Sequence, residues 1–443
     1  MGERSPTYGA APPAVPPRNP PTPRGHPPHE WSSMKHIIVI GGGAAGLLAA
    51  MGAAGEGARV TLLEKNEKLG KKIYITGKGR CNVTNDCTPE SFRTQVVKNP
   101  RFLFSALNAF APADMMALLE KLGCPVKTER GNRVFPVSEK ASDVTRALEK
   151  EIRRLGVSIR LDSSVRSVDA AEGRITGVTL TDGTTLAADA VIVATGGMSY
   201  PTTGSTGDGF GWLARLGHTV YPALPTLIPL TSDAAWVKEL QGLSLRNVRL
   251  TLQSGKKKLY TELGEMLFTH FGITGPLVLS ASAYMAELAP EEVRLTLDLK
   301  PGLTREQLEA RILRDVGEAG RKQLGTVLCG LYPSRLAETM AQLCAVSWTS
   351  PACELTREGR NALVERTKAL EIPVSGSRPL SEAVVTRGGV SVKEINPATM
   401  ESKLVSGLYA AGELLDVDAL TGGYNLQIAF STGLLAGRSA AKA

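Results

Sequence analysis

The chain has 443 residues, 42% hydrophobic and 21% charged, a balance that excludes a disordered protein and leaves room for two or three domains. A net charge of +8 suits anionic ligands such as phosphates, but it is scattered among acids, and 5% aromatic content argues against a base-stacking surface; no nucleic-acid partner is expected. Six cysteines without a CxxC pair and five histidines without ligand spacing exclude a disulfide scaffold and a zinc site, so the expectation is no metal and a reducing, cytoplasmic setting.

Residues 1–34 hold ten prolines and few large apolar side chains, the composition of a disordered tail that cannot bury enough surface to offset its ordering entropy. Met34 directly precedes the first strand. Lys35–Ile40 is β-branched and reads as a short buried strand, and Ala44–Ala54 as a helix of small residues. Together they form an uncharged stretch long enough to raise a membrane anchor, but Gly41, Gly42, Gly43 and Gly46 interrupt it. A glycine costs a helix interior about 1 kcal/mol against alanine. No membrane segment is expected there. Gly41-Gly42-Gly43-Ala44-Ala45-Gly46 is instead a GxGxxG turn between strand and helix, and the next strand, Arg59–Leu63, ends at Glu64. In a dinucleotide fold such glycines let the backbone approach a pyrophosphate, the helix N-terminus supplies positive charge, and the acid accepts from ribose hydroxyls. A carboxylate there disfavours a 2′-phosphate.

After Glu64 the chain runs Lys65 to Asn82 as a basic, glycine-punctuated loop suited to lie along a pyrophosphate and ribityl chain, with Thr76, Gly77, Gly79, Arg80, Cys81 and Asn82 at its end. Residues 141–155 read as an amphipathic helix and Val157–Leu161 as a strand. Short strands follow around Val165–Val168, Arg174–Leu180 and Thr185–Ala187, with an Asp182-Gly183 turn, and then Ala190–Ala194 leads into Thr195-Gly196-Gly197. Such a meander ending in ATGG is similar to the FAD domains of two-dinucleotide flavoproteins. Pro222 to about Pro301 alternates like strands, and Ser254–Lys258 reads as a hairpin turn. Thr304 to about Leu370 is helical and charged, opened by the capping box Thr304-Arg-Glu-Gln307, and 371–392 turns β-like again. Near the C-terminus, Gly407–Glu413 reads as a strand ending in a glycine and an acid, Gly412-Glu413. Thr421-Gly-Gly-Tyr-Asn-Leu then opens a last helix. A helix N-terminus aimed at the N1–C2=O edge of an isoalloxazine would stabilise the reduced flavin. This return segment favours FAD over NAD. No second strand-GxGxxG-helix follows, so a separate nicotinamide domain is not expected.

VIGGGAAGLLAA (39–50), EKNEKLGKKIYITGKGRCNVTN (64–85), ATGGMSYPTTGSTGDGF (194–210), MLFTHFGITGPLVL (266–279) and LYAAGELLDVDALTGGYNLQIAFSTG (408–433) resemble a known group. It is the three-domain bacterial flavoprotein family that includes aminoacetone oxidase and a proposed 3-dehydro-bile acid reductase. The resemblance implies an α/β fold whose Rossmann-like FAD domain, 35–197 and 393–443, is split in sequence. It also implies an inserted β-rich substrate domain, 198–302 and 371–392, and a helical domain, 303–370. The expected cofactor is FAD. Gly41, Gly43, Ala44, Ala45, Gly46, Glu64 and Lys65 should hold its ADP half, with Val165 nearby. The loop residues from Thr76 to Asn82, with Thr195, Gly196, Gly197, Gly412, Glu413, Gly423, Tyr424, Asn425 and Leu426, should lie nearer the ribityl chain and ring.

The expected function is oxidoreduction of a small organic molecule at the flavin, either amine oxidation or reduction of an activated alkene, with O2 or NAD(P)H as redox partner. His270, the histidine inside FTHFGITGP, is a candidate proton donor or else a buried turn-holder; His218 reads as structural. Two alternatives stand beside this. One is an RNA-modifying FAD enzyme. The other is a flavin-linked disulfide reductase using Cys81 and Cys87, which are separated by five residues rather than the four of known redox pairs.

Overall fold

The run Ile37–Ile40 is β-branched and almost fully buried, as a strand covered on both faces must be. In the computed structural model, which describes residues 34–443, it forms the centre of a five-stranded parallel sheet. The tail expected before Lys35 lies outside the described residues except for Met34. The first strand is β1 (His36–Ile40), followed by helix α1 (Ala44–Gly55), strand β2 (Arg59–Leu63), helix α2 (Ala141–Arg154) and strand β3 (Ser158–Arg160). The antiparallel meander β4 (Val165–Ala171), β5 (Arg174–Leu180) and β6 (Thr185–Ala187) comes next, and β7 (Ala190–Val193) returns to the parallel sheet beside β1.

A ribbon strand β8 (Val220–Thr226) leads to a long hairpin, β9 (Ser244–Ser254) and β10 (Lys257–Thr269), then helix α3 (Pro276–Ser282) and strand β11 (Val293–Asp298). Four helices follow, α4 (Arg305–Ala319), α5 (Leu324–Leu331), α6 (Ser334–Leu343) and α7 (Arg357–Lys368). The expected capping box opens the first of them: Gln307 N donates to Thr304 Oγ1, and Thr304 N to Gln307 Oε1. The chain returns through β12 (Leu370–Ile372) and β13 (Val385–Val390), the latter paired with β8. Strand β14 (Leu408–Ala410) and helix α8 (Tyr424–Lys442) end it. The parallel sheet has the order β14-β7-β1-β2-β3. The hairpin, β11 and β12 belong to a seven-stranded antiparallel sheet completed by Leu230–Thr231, Gly272–Thr274 and Gly376–Ser377. Its apolar face and the four helices share one core, from Leu230 to Ile372, while the parallel sheet, α1 and α8 share another.

The first and last parts of the chain meet along a seam of bare backbone. A Cβ on Gly433 would lie 2.2 Å from Ala45 O, and one on Gly437 2.1 Å from Ala49 O. Only glycine lets α8 approach α1 this closely. The segment Pro100–Lys121 is long and apolar enough to cross a membrane by composition. It is instead two helices broken where Phe110 turns extended, and buried Gln427 and Ser431 of α8 both donate to Phe110 O. The break is thus held in the core.

Candidate functional site

Helix α1 opens at Gly43, which has no side chain to cap it, and no acid lies in its first turn. The N–H groups of a helix's first turn have no partner within the helix. Gly41, at φ 101°, and Gly46 shape the turn beneath them: a Cβ on Gly46 would sit 1.8 Å from Gly41 O, and one on Gly41 2.6 Å from Ala194 O. At the end of β2 the Glu64 carboxylate is buried. It accepts from Gly42 N at 2.7 Å and from Asn66 N and Nδ2 at 2.9 and 2.6 Å. Lys65 at its side pairs with Asp208.

From this turn a single cavity of about 1470 Å³ runs to the start of α8 and on to β10 and α3. Its walls include Gly41, Gly43, Ala44, Ala45, Glu64, Lys65, Thr76, Gly77, Asn82, Val165, Thr195 and Gly196 at one end, and Gly423, Tyr424, Asn425 and Leu426 further along. Glu413 lines it too, but its carboxylate is already engaged by Lys72 Nζ at 2.6 Å, Ser199 Oγ at 2.7 Å and Thr386 N at 2.9 Å. It fixes the floor. The Asn425 amide closes a ring with Ala419, accepting from its N at 2.9 Å and donating to its O at 2.8 Å. That pins the Ala419–Gly423 loop and leaves the first backbone N–H groups of α8 toward the cavity. Asn82, oriented so that both ends of its amide are satisfied, accepts from Gly423 N at 3.0 Å and donates to Thr84 O at 3.1 Å. The GKGRCN loop therefore holds the flavin-side helix in place.

Several expected residues stand behind the walls. Gly46 lies under the turn, Gly412 packs on Ala45, and Gly197 backs onto Thr386 and Glu413. Gly79 and Arg80 do not line the cavity. Arg80 is committed to Glu129 and Glu139, with its guanidinium 4.0 Å from the Phe135 ring, so it cannot also face a ribityl chain. Cys81 is buried at φ 61°, and burial pushes its thiol up to about 12. Burial likewise pushes Cys87 up to about 11, with Asp86 adding to it. An attacking thiol needs the opposite shift, and both are free. His270 is exposed on the turn after β10, its ring edge-on to Phe271 at 5.0 Å, and is absent from the cavity wall. It is neither a buried turn-holder nor a proton donor at the cavity, because the turn carries it outward. His218 is buried, with Nε2 2.9 Å from Ser402 Oγ and Nδ1 3.3 Å from Glu394; burial lowers its pKa.

The sequence marks a β-rich substrate domain but not which of its side chains form the far end of the cavity. That end is lined by Asn247, Tyr260, Leu263, Leu277, Leu279 and Ser280 of the hairpin and α3. The motif at 266–279 marks the neighbourhood, but alternation alone does not say which face of β10 looks inward.

The residues present fit FAD. Two uncapped helix starts, a glycine turn that leaves its backbone bare and an acid at the end of β2 all border one elongated cavity. The protein is an FAD-dependent oxidoreductase with a Rossmann-type cofactor fold. Residues 35–439 match the HI0933-like protein Rossmann domain, and the chain belongs to that family.

It is 33% identical to the 3-dehydro-bile acid delta(4,6)-reductase of Clostridium scindens over 92% of this chain and 100% of that one. It is also 33% identical to the ribosomal RNA dihydrouridine synthase of Haemophilus influenzae, over 90% of this chain and 97% of that one. Among solved structures, a 3-ketosteroid-delta4-(5alpha)-dehydrogenase from Rhodococcus jostii superposes with a TM-score of 0.51 at 16% identity, covering 94% of this chain and 98% of that one. That likeness is one of fold.

Proposed function

We propose that this protein reduces a carbon–carbon double bond conjugated with a carbonyl, using FAD and a reduced nicotinamide as the electron source. The observation that carries this is the extent of the cavity. At about 1470 Å³ it exceeds the roughly 300–1,000 Å³ of an ordinary ligand site, and its far end joins the leucines at 263, 277 and 279 to the hydroxyls of Tyr260 and Ser280, with the exposed Glu262 and Glu265 also on its wall. The three leucines suit a planar, largely apolar acceptor. Both relatives' names point to reduction: one is a 3-dehydro-bile acid delta(4,6)-reductase and the other a ribosomal RNA dihydrouridine synthase.

Bound FAD supplies the two-electron redox step. The chain's own residues do the rest. The first turns of α1 and α8 would offer N–H groups to the pyrophosphate and to the ring, Glu64 would accept from the ribose, and Leu263, Leu277 and Leu279 would hold the acceptor beside the ring. In this reading residues 198–302 and 371–392 form the substrate domain, and 303–370 support it from the far side of the sheet. Val165 and Lys65 border the adenosine.

A uridine within folded RNA is the second reading. It is favoured by the exposed Lys78, Arg130 and Arg133, which line the same cavity at its rim. The test is anaerobic. FAD-loaded protein should bleach with NADPH or NADH and recover its colour with 4-androstene-3,17-dione; if no nicotinamide bleaches it, or no conjugated carbonyl restores it, the proposal falls. Recovery with ribosomal RNA alone, weakening steeply with salt, would establish the second reading over the first.

A further inference from the structure

Three hydroxyls cross the cavity from the inserted sheet to the flavin-side loop. Tyr260 on β10 and Ser280 on α3 are 8% and 7% exposed, so both are buried, yet both line the cavity. Ser280 Oγ lies 3.2 Å from Thr421 Oγ1, at the start of the loop that leads into α8. Ser280 and Tyr260 line the same end of the cavity, and the serine hydroxyl draws the phenol's pKa down against burial. The Tyr284 ring lies 5.7 Å from the Tyr260 ring, tilted by 33°. Tyrosine is an unneeded risk in an apolar core unless its hydroxyl has work.

We infer that Tyr260 is the hydrogen-bond donor to the substrate's carbonyl oxygen, aligned by Ser280 and Thr421. This deepens, and rests on, the reading of the cavity as a site for conjugated carbonyls. When Thr421 donates to Ser280 and Ser280 donates to Tyr260, the phenolic hydrogen is left to point at the acceptor, and each bond strengthens the next. As a hydride passes from the reduced flavin to the β-carbon, the π pair moves onto the carbonyl oxygen as an enolate, which the Tyr260 O–H holds. The α-carbon then takes a proton from water. The flavin loses two electrons, the substrate gains two electrons and two hydrogens in all, and Tyr260 keeps its proton. Burial, with Glu262 and Tyr284 adding to it against the Ser280 hydrogen bond, raises the phenol's pKa, so it stays a donor at every working pH.

Tyr260→Phe tests this in two ways, with 4-androstene-3,17-dione as probe. With oxidised enzyme, where nothing turns over, the bound probe should show a lowered carbonyl stretch and red-shifted enone absorption in the wild type, and neither in the variant. In stopped flow, reoxidation of reduced enzyme by the probe should slow about 100-fold or more, the loss typical of an oxyanion donor, while bleaching by nicotinamide stays within twofold. Ser280→Ala should give a partial loss of both signals, and it decides the matter if Tyr260→Phe fails to retain FAD. An unchanged carbonyl stretch with an unchanged reoxidation rate overturns the inference. A wild type that the probe cannot reoxidise overturns the proposed function instead.

Discussion

The two ends of the cavity are made of different material. The nucleotide end is backbone: helix starts at Gly43 and Gly423, a turn closed by Gly41 and Gly46, and one buried carboxylate. The far end is side chain: leucines, Tyr260 and Ser280 projected from a hairpin and a short helix. Backbone recognises what every FAD shares, and it offers few ways to vary without losing the turn. Side chains on a strand can be exchanged one at a time. A family whose relatives are named for a 3-dehydro-bile acid and for ribosomal RNA is expected to keep the first end and change the second.

The junction between the ends gives the largest predicted effect. Arg387 on β13 meets Asp418, just before the flavin-side loop, in a two-pronged pair at 2.9 and 2.7 Å, with both side chains almost wholly buried. Arg387→Ala leaves a buried carboxylate alone and should cost about 3–5 kcal/mol in urea denaturation. Replacing both partners with apolar residues should recover most of it. Next is the backbone end. Gly46→Ala places a methyl against Gly41 O and should abolish FAD retention on gel filtration while leaving the far-UV spectrum unchanged; a variant that keeps its flavin would break the contrast drawn above.

Glu64→Gln sharpens it, because the size is kept while the charge is lost and one of the two accepting oxygens becomes an NH2 facing the N–H of Gly42 or of Asn66. FAD titration should show affinity down on the order of 10-fold, the loss of one charge-assisted hydrogen bond of about 1.5 kcal/mol. The smallest effect belongs to the side-chain end. Leu263 lines the cavity yet is 54% exposed, so Leu263→Ala should leave stability within about 0.5 kcal/mol and FAD affinity unchanged. Steady-state kinetics should show only a raised KM for a bulky acceptor. A loss of FAD here would mean the two ends are not separable.

The backbone end was also the legible one. Gly41 to Gly46, Glu64 and the Gly412–Leu426 return carry fixed spacings, since a tight turn demands particular residues at particular offsets, and the chain's membership of the HI0933-like family accords with them. What spacing could not say is which side of each segment faces the ligand. Arg80 sits in the same motif as Asn82 but turns to two glutamates, because Cys81 between them takes a left-handed backbone and buries its thiol. His270 was singled out for its chemistry, yet its turn points to solvent. Tyr260 and Ser280 passed unread because a tyrosine in a strand and a serine in a helix are ordinary core residues until a sheet and a loop from elsewhere are laid against them.

The glycine seam between α1 and α8 also sets an order of events in folding. Lys72 and Glu413 must meet across 341 residues, and Gly433 must reach Ala45, before the flavin's cradle has its second wall. Until β14 and α8 are folded against β7 and α1 the cofactor domain is half built, so its cradle is complete only when both distant segments are in place.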